Sequence, residues 1–276
     1  MKIIDGKALA AKLRANLKTQ LEQSNKTVGL AVVLVGNDPA SQVYVRNKIK
    51  GCAEVGVRSY SYELPETATQ NEVETLLDTL AADNNIHGIL LQLPLPKGLN
   101  AEQAMAHIPA EKDVDGFSAE NLGLLTLNKN GLVSCTPLGI MKMLENEGID
   151  CTGKNAVVLG RSDTVGKPMA MLLLNANATV TVCHSKTRNI KEICKTADIL
   201  VAAVGKAKFV TADMVKEGAV VIDVGINRDE NGKMCGDVDF ENVKEKTSYI
   251  TPVPGGVGPM TITMLLHNTC LAAFKE

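Results

Sequence analysis

Tyr44 and Lys48 stand four residues apart, a spacing that sets a phenol and an amine on one face of a helix. A packed ring beside a snorkelling amine is the ordinary use of such a pair. For the lysine to act as a base, burial or nearby cations must disfavour its ammonium form. Gln92 interrupts the apolar run Ile89-Leu90-Leu91-Gln92-Leu93, where a lone amide is costly unless hydrogen-bonded. A backbone partner would satisfy it. The carboxyl end of a strand is also where α/β sheets collect ligands. Lys112-Asp113-Val114-Asp115-Gly116 places two acids beside a glycine, for which turn capping is the usual explanation.

A second group of residues could hold a phosphate. Asn155-Ala156-Val157-Val158-Leu159 reads as an apolar strand, Gly160-Arg161-Ser162-Asp163-Thr164-Val165-Gly166 as a tight turn, and residues 169–175 as a helix. In that order the free N–H groups of the new helix face an anion, Gly160 lets the backbone turn, and Gly166 permits close approach. The spacing is Gly-x-x-x-x-x-Gly and not G-x-G-x-x-G, so the turn alone names no family. The second strand of the unit, Val180-Thr181-Val182-Cys183, ends in His184-Ser185-Lys186-Thr187-Arg188. It carries no carboxylate for a ribose 2′-hydroxyl. With Arg161 it offers donors for a 2′-phosphate, which favours NADP over NAD. Pro254-Gly255-Gly256-Val257-Gly258-Pro259 is either a hinge or exposed backbone for a ligand.

The elements that must position these residues alternate. Leu9, Leu13, Leu17 and Leu21 mark a helix over residues 7–23. A buried strand (28–35), a helix (40–55), a strand (57–62), a helix (70–82) and a strand (88–93) follow, making a separate α/β unit. Residues 111–136 read as a connection, after which Thr136 caps a helix over 138–147. Strands at 156–159, 179–183, 199–204 and 220–224 then build a second unit, and a last helix spans 260–273. The fold class is therefore α/β with two domains. Residues 1–136 form an N-terminal α/β domain and residues 137–259 a Rossmann-like domain with a parallel sheet; the helix 260–276 is expected to pack back on the first.

Composition narrows the function further. A net charge of −2 over 276 residues leaves no basic footprint for nucleic acid, and 3% aromatic residues give no stacking platform. No apolar run reaches the ~18 residues of a membrane span, and the N-terminus lacks a signal core. Seven cysteines without a C-x-x-C pair read as reduced thiols in a cytoplasmic protein. Four scattered histidines form no metal site.

Taken together, the chain resembles the bifunctional methylenetetrahydrofolate dehydrogenase/methenyltetrahydrofolate cyclohydrolase family nearly end to end. The resemblance rests on Ala40-Ser41-x-x-Tyr44-Val45-x-x-Lys48, Gln92-Leu93-Pro94-Leu95-Pro96, Lys112-Asp113-Val114-Asp115-Gly116 and Cys135-Thr136-Pro137. It rests also on Gly160-Arg161-Ser162-x-x-Val165-Gly166-x-Pro168 and Pro254-Gly255-Gly256-Val257-Gly258-Pro259-Met260-Thr261. It implies NADP bound through Gly160, Arg161, Ser162, the Ser185 loop and the backbone near Ile226. It implies a folate in a cleft between the domains, with Tyr44 on its aminobenzoate ring and Asp115 on its pterin. Leu91, Gln92, Leu93 and the residues Pro254, Gly255, Gly256, Val257 and Gly258 line it. Lys48, assisted by Gln92, is central to catalysis, with Tyr44 and Asp115 in the catalytic set. A homodimer is implied, with neither nucleic-acid nor membrane partner. Asp163 should face solvent. The rival readings are a dehydrogenase-only, NAD-using relative, a shikimate-dehydrogenase-like reductase, and a non-catalytic nucleotide sensor.

Overall fold

The structure is a computed structural model describing residues 1–274. The first half contains β1 (Lys2–Ile3), α1 (Gly6–Ser24), β2 (Gly29–Val35), α2 (Pro39–Val55), β3 (Arg58–Leu64), α3 (Gln70–Ala82), β4 (Gly88–Leu91), α4 (Ala101–Met105) and α5 (Ala119–Thr126). The second contains α6 (Cys135–Asn146), β5 (Asn155–Leu159), α7 (Gly166–Asn175), β6 (Thr179–Cys183), α8 (Ile190–Cys194), β7 (Ile199–Ala202) and β8 (Ala219–Asp223). It closes with β9 (Asn227–Arg228), β10 (Met234–Cys235), α9 (Phe240–Val243), β11 (Thr247–Ile250) and α10 (Val257–Phe274).

Two compact units divide the chain. One comprises Lys12–Cys135 and the described chain from Ile262 onward, around a three-stranded parallel sheet ordered β3-β2-β4. Its central strand β2 is Gly-Leu-Ala-Val-Val-Leu-Val with every residue buried, the apolar run expected of a parallel strand covered on both faces. Val33 and Ile89 share a core cluster with Val73, Leu77 and Leu80 of α3. That helix starts at a capping box in which Thr69 Oγ1 accepts from Glu72 N–H (3.3 Å) and Glu72 Oε2 accepts from Thr69 N–H (2.7 Å).

The other unit comprises Met1–Ala11 and Thr136–Thr261. Its six-stranded sheet, ordered β1-β11-β8-β7-β5-β6, is parallel throughout. The strand after β5 lies on one side of it and β7 on the other. The order therefore reverses there, and the crevice beyond the carboxyl ends of β5 and β7 is the standard ligand position of such a sheet.

Several expectations need correction. Residues 1–11 belong with the six-stranded sheet, because Lys2 and Ile3 pair with Tyr249 and Ile250; two residues are too few to show periodicity. The 111–136 connection holds α5, which Ser118 caps by accepting from Asn121 N–H at 3.2 Å. Helix α6 starts at Cys135, so Thr136 is no cap; its hydroxyl instead bonds that of Thr261 at 2.8 Å. The last helix begins at Val257, inside the glycine-rich motif, with Pro259 in its first turn, where a missing N–H costs nothing. This α10 is long and apolar enough to cross a membrane by composition, but 61% of it is buried within the protein, as in a core helix.

Leu77 is fully buried under the sheet that carries Gln92. Leu77→Ala is expected to destabilise the protein by roughly 2–5 kcal/mol, read as a lowered urea midpoint at unchanged slope.

Candidate active site

In the three-stranded unit, α2 sets the phenol and the amine. Its start is fixed by Asp38, whose carboxylate accepts from Ser41 N–H at 2.8 Å, and by Pro39 at the first helical position; its end is fixed by Gly56 in the left-handed region. Tyr44 is 41% exposed and Lys48, one turn on, is half-buried. Gln92 directly follows β4, with its N–H donating to Val33 O at 2.8 Å and its side chain buried. Its Nε2 donates to Leu93 O at 2.6 Å, which turns Oε1 toward Lys48, and Lys48 Nζ donates to that oxygen at 3.0 Å. Both halves of the costly buried amide are thus used. Leu91 is a core side chain, whereas Leu93 is half-buried.

The two aspartates divide their tasks. Asp113 is the turn brace, accepting from Gly116 N–H (3.1 Å), Ser118 N–H (2.7 Å) and Asn121 Nδ2 (3.1 Å). Asp115 sits within electrostatic reach of Lys48. Desolvation pushes its carboxyl up to about 6; the Lys48 charge opposes this and the Asp113 charge adds to it. Cys135 closes the same neighbourhood. Its thiol donates to Val114 O at 3.2 Å, and burial, with Asp115 nearby, raises it well above the ordinary thiol range. Asn268 of α10 donates to Val114 O (2.9 Å) and Val133 O (2.8 Å), tying together the segments that carry Asp115 and Cys135. Neither the place of Cys135 in this neighbourhood nor that of Asn268 is evident from local sequence pattern. The available signal for Asn268 is only that it is the single amide in an apolar helix.

In the six-stranded unit, Gly160, Arg161 and Ser162 follow β5, Ser185 follows β6, and Ile226 follows β8, all beyond carboxyl ends of parallel strands. Gly160 has φ of 124°, and a Cβ there would lie 2.2 Å from Ala203 O; one on Gly166 would lie 2.4 Å from Gly160 O. The turn is therefore glycine-dependent at both ends. Ser162 Oγ accepts from Val165 N–H (3.2 Å) and Gly166 N–H (3.3 Å) at the start of α7. Asp163 is solvent-exposed, as expected, and pairs with Lys167 of the same helix. The loop after β6 is held by His184 N–H donating to Thr187 Oγ1 (2.9 Å) and Lys186 N–H donating to His184 Nδ1 (3.2 Å). Ser185, Lys186 and Arg188 are left exposed beside the exposed Arg161 turn. Exposed cations with no carboxylate at the end of β6 fit a nucleotide carrying a 2′-phosphate.

Ile226 also lines a cavity of about 150 Å³ with Met234, Asp223 and the residues Pro254, Gly255, Gly256, Val257 and Gly258. Lys7 N–H donates to Gly255 O at 2.9 Å, which anchors that glycine-rich loop. No group of histidine, cysteine and carboxylate side chains suited to a metal occurs among the described residues.

Comparison with known proteins agrees with both halves. A family model for the catalytic domain of tetrahydrofolate dehydrogenase/cyclohydrolase matches residues 4–115, and one for its NAD(P)-binding domain matches residues 134–276. Bifunctional protein FolD of Campylobacter concisus is 58% identical over 276 residues, covering 99% of this chain and 98% of its own. The crystal structure of the bifunctional enzyme FolD from Campylobacter jejuni superimposes with a TM-score of 0.97 at 51% identity, covering 100% of this chain and 99% of that one. The Trypanosoma brucei enzyme, solved with NADP cofactor and inhibitor, gives 0.93 at 40% identity, covering 99% and 97%.

The raised Asp115 carboxyl has a consequence for stability. The folded state holds its proton more tightly than the unfolded chain does. Its contribution is therefore fully present below about pH 4 and lost as pH rises through about 6. Asp115→Asn is expected to stabilise the fold by on the order of 1–3 kcal/mol above pH 6, with the gain fading toward pH 4. Thermal unfolding at pH 7.5 and 4.5 checks this.

Proposed function

The chain belongs to the tetrahydrofolate dehydrogenase/cyclohydrolase family, and on that premise we propose how its own residues carry the two reactions. It is an NADP-dependent 5,10-methylenetetrahydrofolate dehydrogenase and a 5,10-methenyltetrahydrofolate cyclohydrolase, whose product is 10-formyltetrahydrofolate. NADP⁺ supplies the oxidant for the methylene bridge. Gly160, Arg161, Ser162, Ser185 and the backbone at Ile226 hold it, with Arg161 and the Ser185 loop facing the 2′-phosphate. Tyr44 packs on the aminobenzoate ring and Asp115 bonds the pterin. Leu91, Gln92, Leu93 and the loop from Pro254 through Gly255, Gly256 and Val257 to Gly258 line the folate.

Oxidation of the bridge leaves a cation shared by two nitrogens. That step calls for alignment and no strong base. In hydrolysis a water adds to the methenyl carbon as the electrons of its C=N bond move to nitrogen, and gives up a proton. The bond from that carbon to N5 then breaks, N5 takes up a proton, and the formyl group stays on N10. Lys48 takes the water's proton or positions the water. Gln92 holds the amine without adding a charge that would compete for the substrate cation. The observation that carries this reading is the 3.0 Å bond from Lys48 Nζ to Gln92 Oε1, with Gln92 itself pinned by Leu93 O. A donated N–H directs the amine's remaining valences away from the amide.

The reading also includes a cytoplasmic homodimer. All seven cysteines carry free thiols, the state that a reducing compartment maintains. Strand β6 ends its sheet as an edge, and Val182 on it and Leu174 on α7 are exposed apolar side chains that a second copy would cover. Light scattering on eluting protein should give twice the chain mass.

Reduction of NADP⁺ with 5,10-methylenetetrahydrofolate, repeated with NAD⁺, and decay of methenyltetrahydrofolate absorbance test the assignment. NADP⁺ should be preferred, and the methenyl signal should decay faster with enzyme than without. Lys48→Met should cut hydrolysis by roughly 10²–10⁴-fold, while Tyr44→Phe shifts the ratio of the two activities. Full hydrolysis by the Lys48 variant would remove the mechanism; oxidation without enzymatic hydrolysis would favour a dehydrogenase-only enzyme.

A further inference from the structure

Asp237 is completely buried, yet none of the catalytic or cofactor groups above includes it. Its two carboxylate oxygens accept four hydrogen bonds. Oδ2 receives Val204 N–H (2.6 Å) and Gly205 N–H (3.0 Å), and Oδ1 receives Lys206 N–H (2.9 Å) and Asn227 Nδ2 (2.9 Å). Three successive backbone amides of the loop after β7 and the side chain next to Ile226 thus converge on one carboxylate. The carboxyl also lies against the backbone at Gly225, where a Cβ would come within 2.3 Å of Oδ1.

The loop that Asp237 gathers borders the dinucleotide turn. It begins at Ala203, whose carbonyl touches Gly160 closely enough to exclude a Cβ there. Its strand, β7, flanks β5 at the point where the sheet order reverses. Residues 225–227, at the other end of the brace, carry Ile226. The backbone of Asp237 is itself held: Asp223, buried at the end of β8, accepts from Asp237 N–H (2.8 Å), Val238 N–H (2.9 Å) and Gly225 N–H (3.0 Å). Asp237 O in turn accepts from Val210 N–H at 2.9 Å.

We propose that Asp237 is a positioning residue for NADP: it fixes the loop after β7 and the Ile226 segment in one geometry along the cofactor edge of the sheet. It touches no reacting atom and acts through the amides it gathers. A carboxylate suits the task because it accepts on both oxygens, with bonds stronger than those of a neutral acceptor. In Asp237→Asn one oxygen becomes an NH₂, so that two of the four donors face a donor whichever way the amide turns. The inference rests on the placement of NADP at this edge.

The two activities separate positioning from general stability, because hydrolysis of methenyltetrahydrofolate can be followed without any nucleotide. Asp237→Asn should raise the KM for NADP⁺ about tenfold or more, which corresponds to ~1.4 kcal/mol, while nucleotide-free cyclohydrolase activity stays at the parent level. Amides 204–206 should exchange with deuterium faster in the variant. Unchanged KM, or unchanged exchange at those amides, would overturn the proposal. Should Asp237→Asn lose both activities, Asp237→Glu decides. It keeps both oxygens and the charge but moves them by about one bond (~1.5 Å), so it must raise the KM while sparing hydrolysis. An unaltered KM there counts against the proposal. Arg161→Ala is the companion control. If it leaves the KM for NADP⁺ unchanged, the cofactor placement fails and the inference with it. If it raises the KM and neither Asp237 variant does, the inference alone fails.

Discussion

Backbone amides that leave the carboxyl ends of buried parallel strands must find acceptors inside the protein, and the functional geometry depends on how this chain meets that need. Strands β2, β4, β7 and β8 are buried along their whole length, so water reaches the amides at their ends poorly, and an unpaired one costs about as much as a lost hydrogen bond. Side-chain acceptors take the place of the next strand residue. Asp113 does so where the chain turns past β4 toward α5, and Asp223 and Asp237 do so beyond β7 and β8. Asp113 thereby sets the turn that carries Asp115, and Asp223 and Asp237 set the segment that carries Ile226.

The same low-dielectric setting explains the charge arrangement around Lys48. A buried amide, satisfied on both atoms, orients the Lys48 amine without adding a charge beside it. Asp115 is the exception, a carboxyl raised to about 6 because desolvation outweighs the attraction of Lys48. Retaining such a group weakens the fold at neutral pH. Cys135 and Asn268 close the neighbourhood by hydrogen bonds to Val114 O, so the backbone immediately before Asp115 is restrained by α10 as well as by Asp113.

Periodicity made the longer elements legible. The leucines of α1, the apolar run of β2 and the bounds of α3 could be placed because each buries a face large enough to leave a pattern. Two-residue β1, the β9–β10 pair and α5 could not. Their stability comes from partners distant in sequence, as when Lys2 pairs with Tyr249. Thr136 illustrates a related limit: a threonine before a proline has the chemistry of a helix start, yet it lies inside α6 and its hydroxyl bonds that of Thr261.

By itself the sequence determined the family, the alternation of strands and helices, and the residue types at the glycine turn and along the Tyr44–Lys48 face. These are set by short-range sterics and by motifs whose order survives without coordinates. Only the tertiary structure decided which aspartate braces and which faces Lys48, that Gln92 spends one amide atom on Leu93 and the other on the amine, and that Asp237 gathers two loops. Those assignments turn on which donor reaches which acceptor across tens of residues. Burial sets their energetic weight, and burial exists only once the chain has folded.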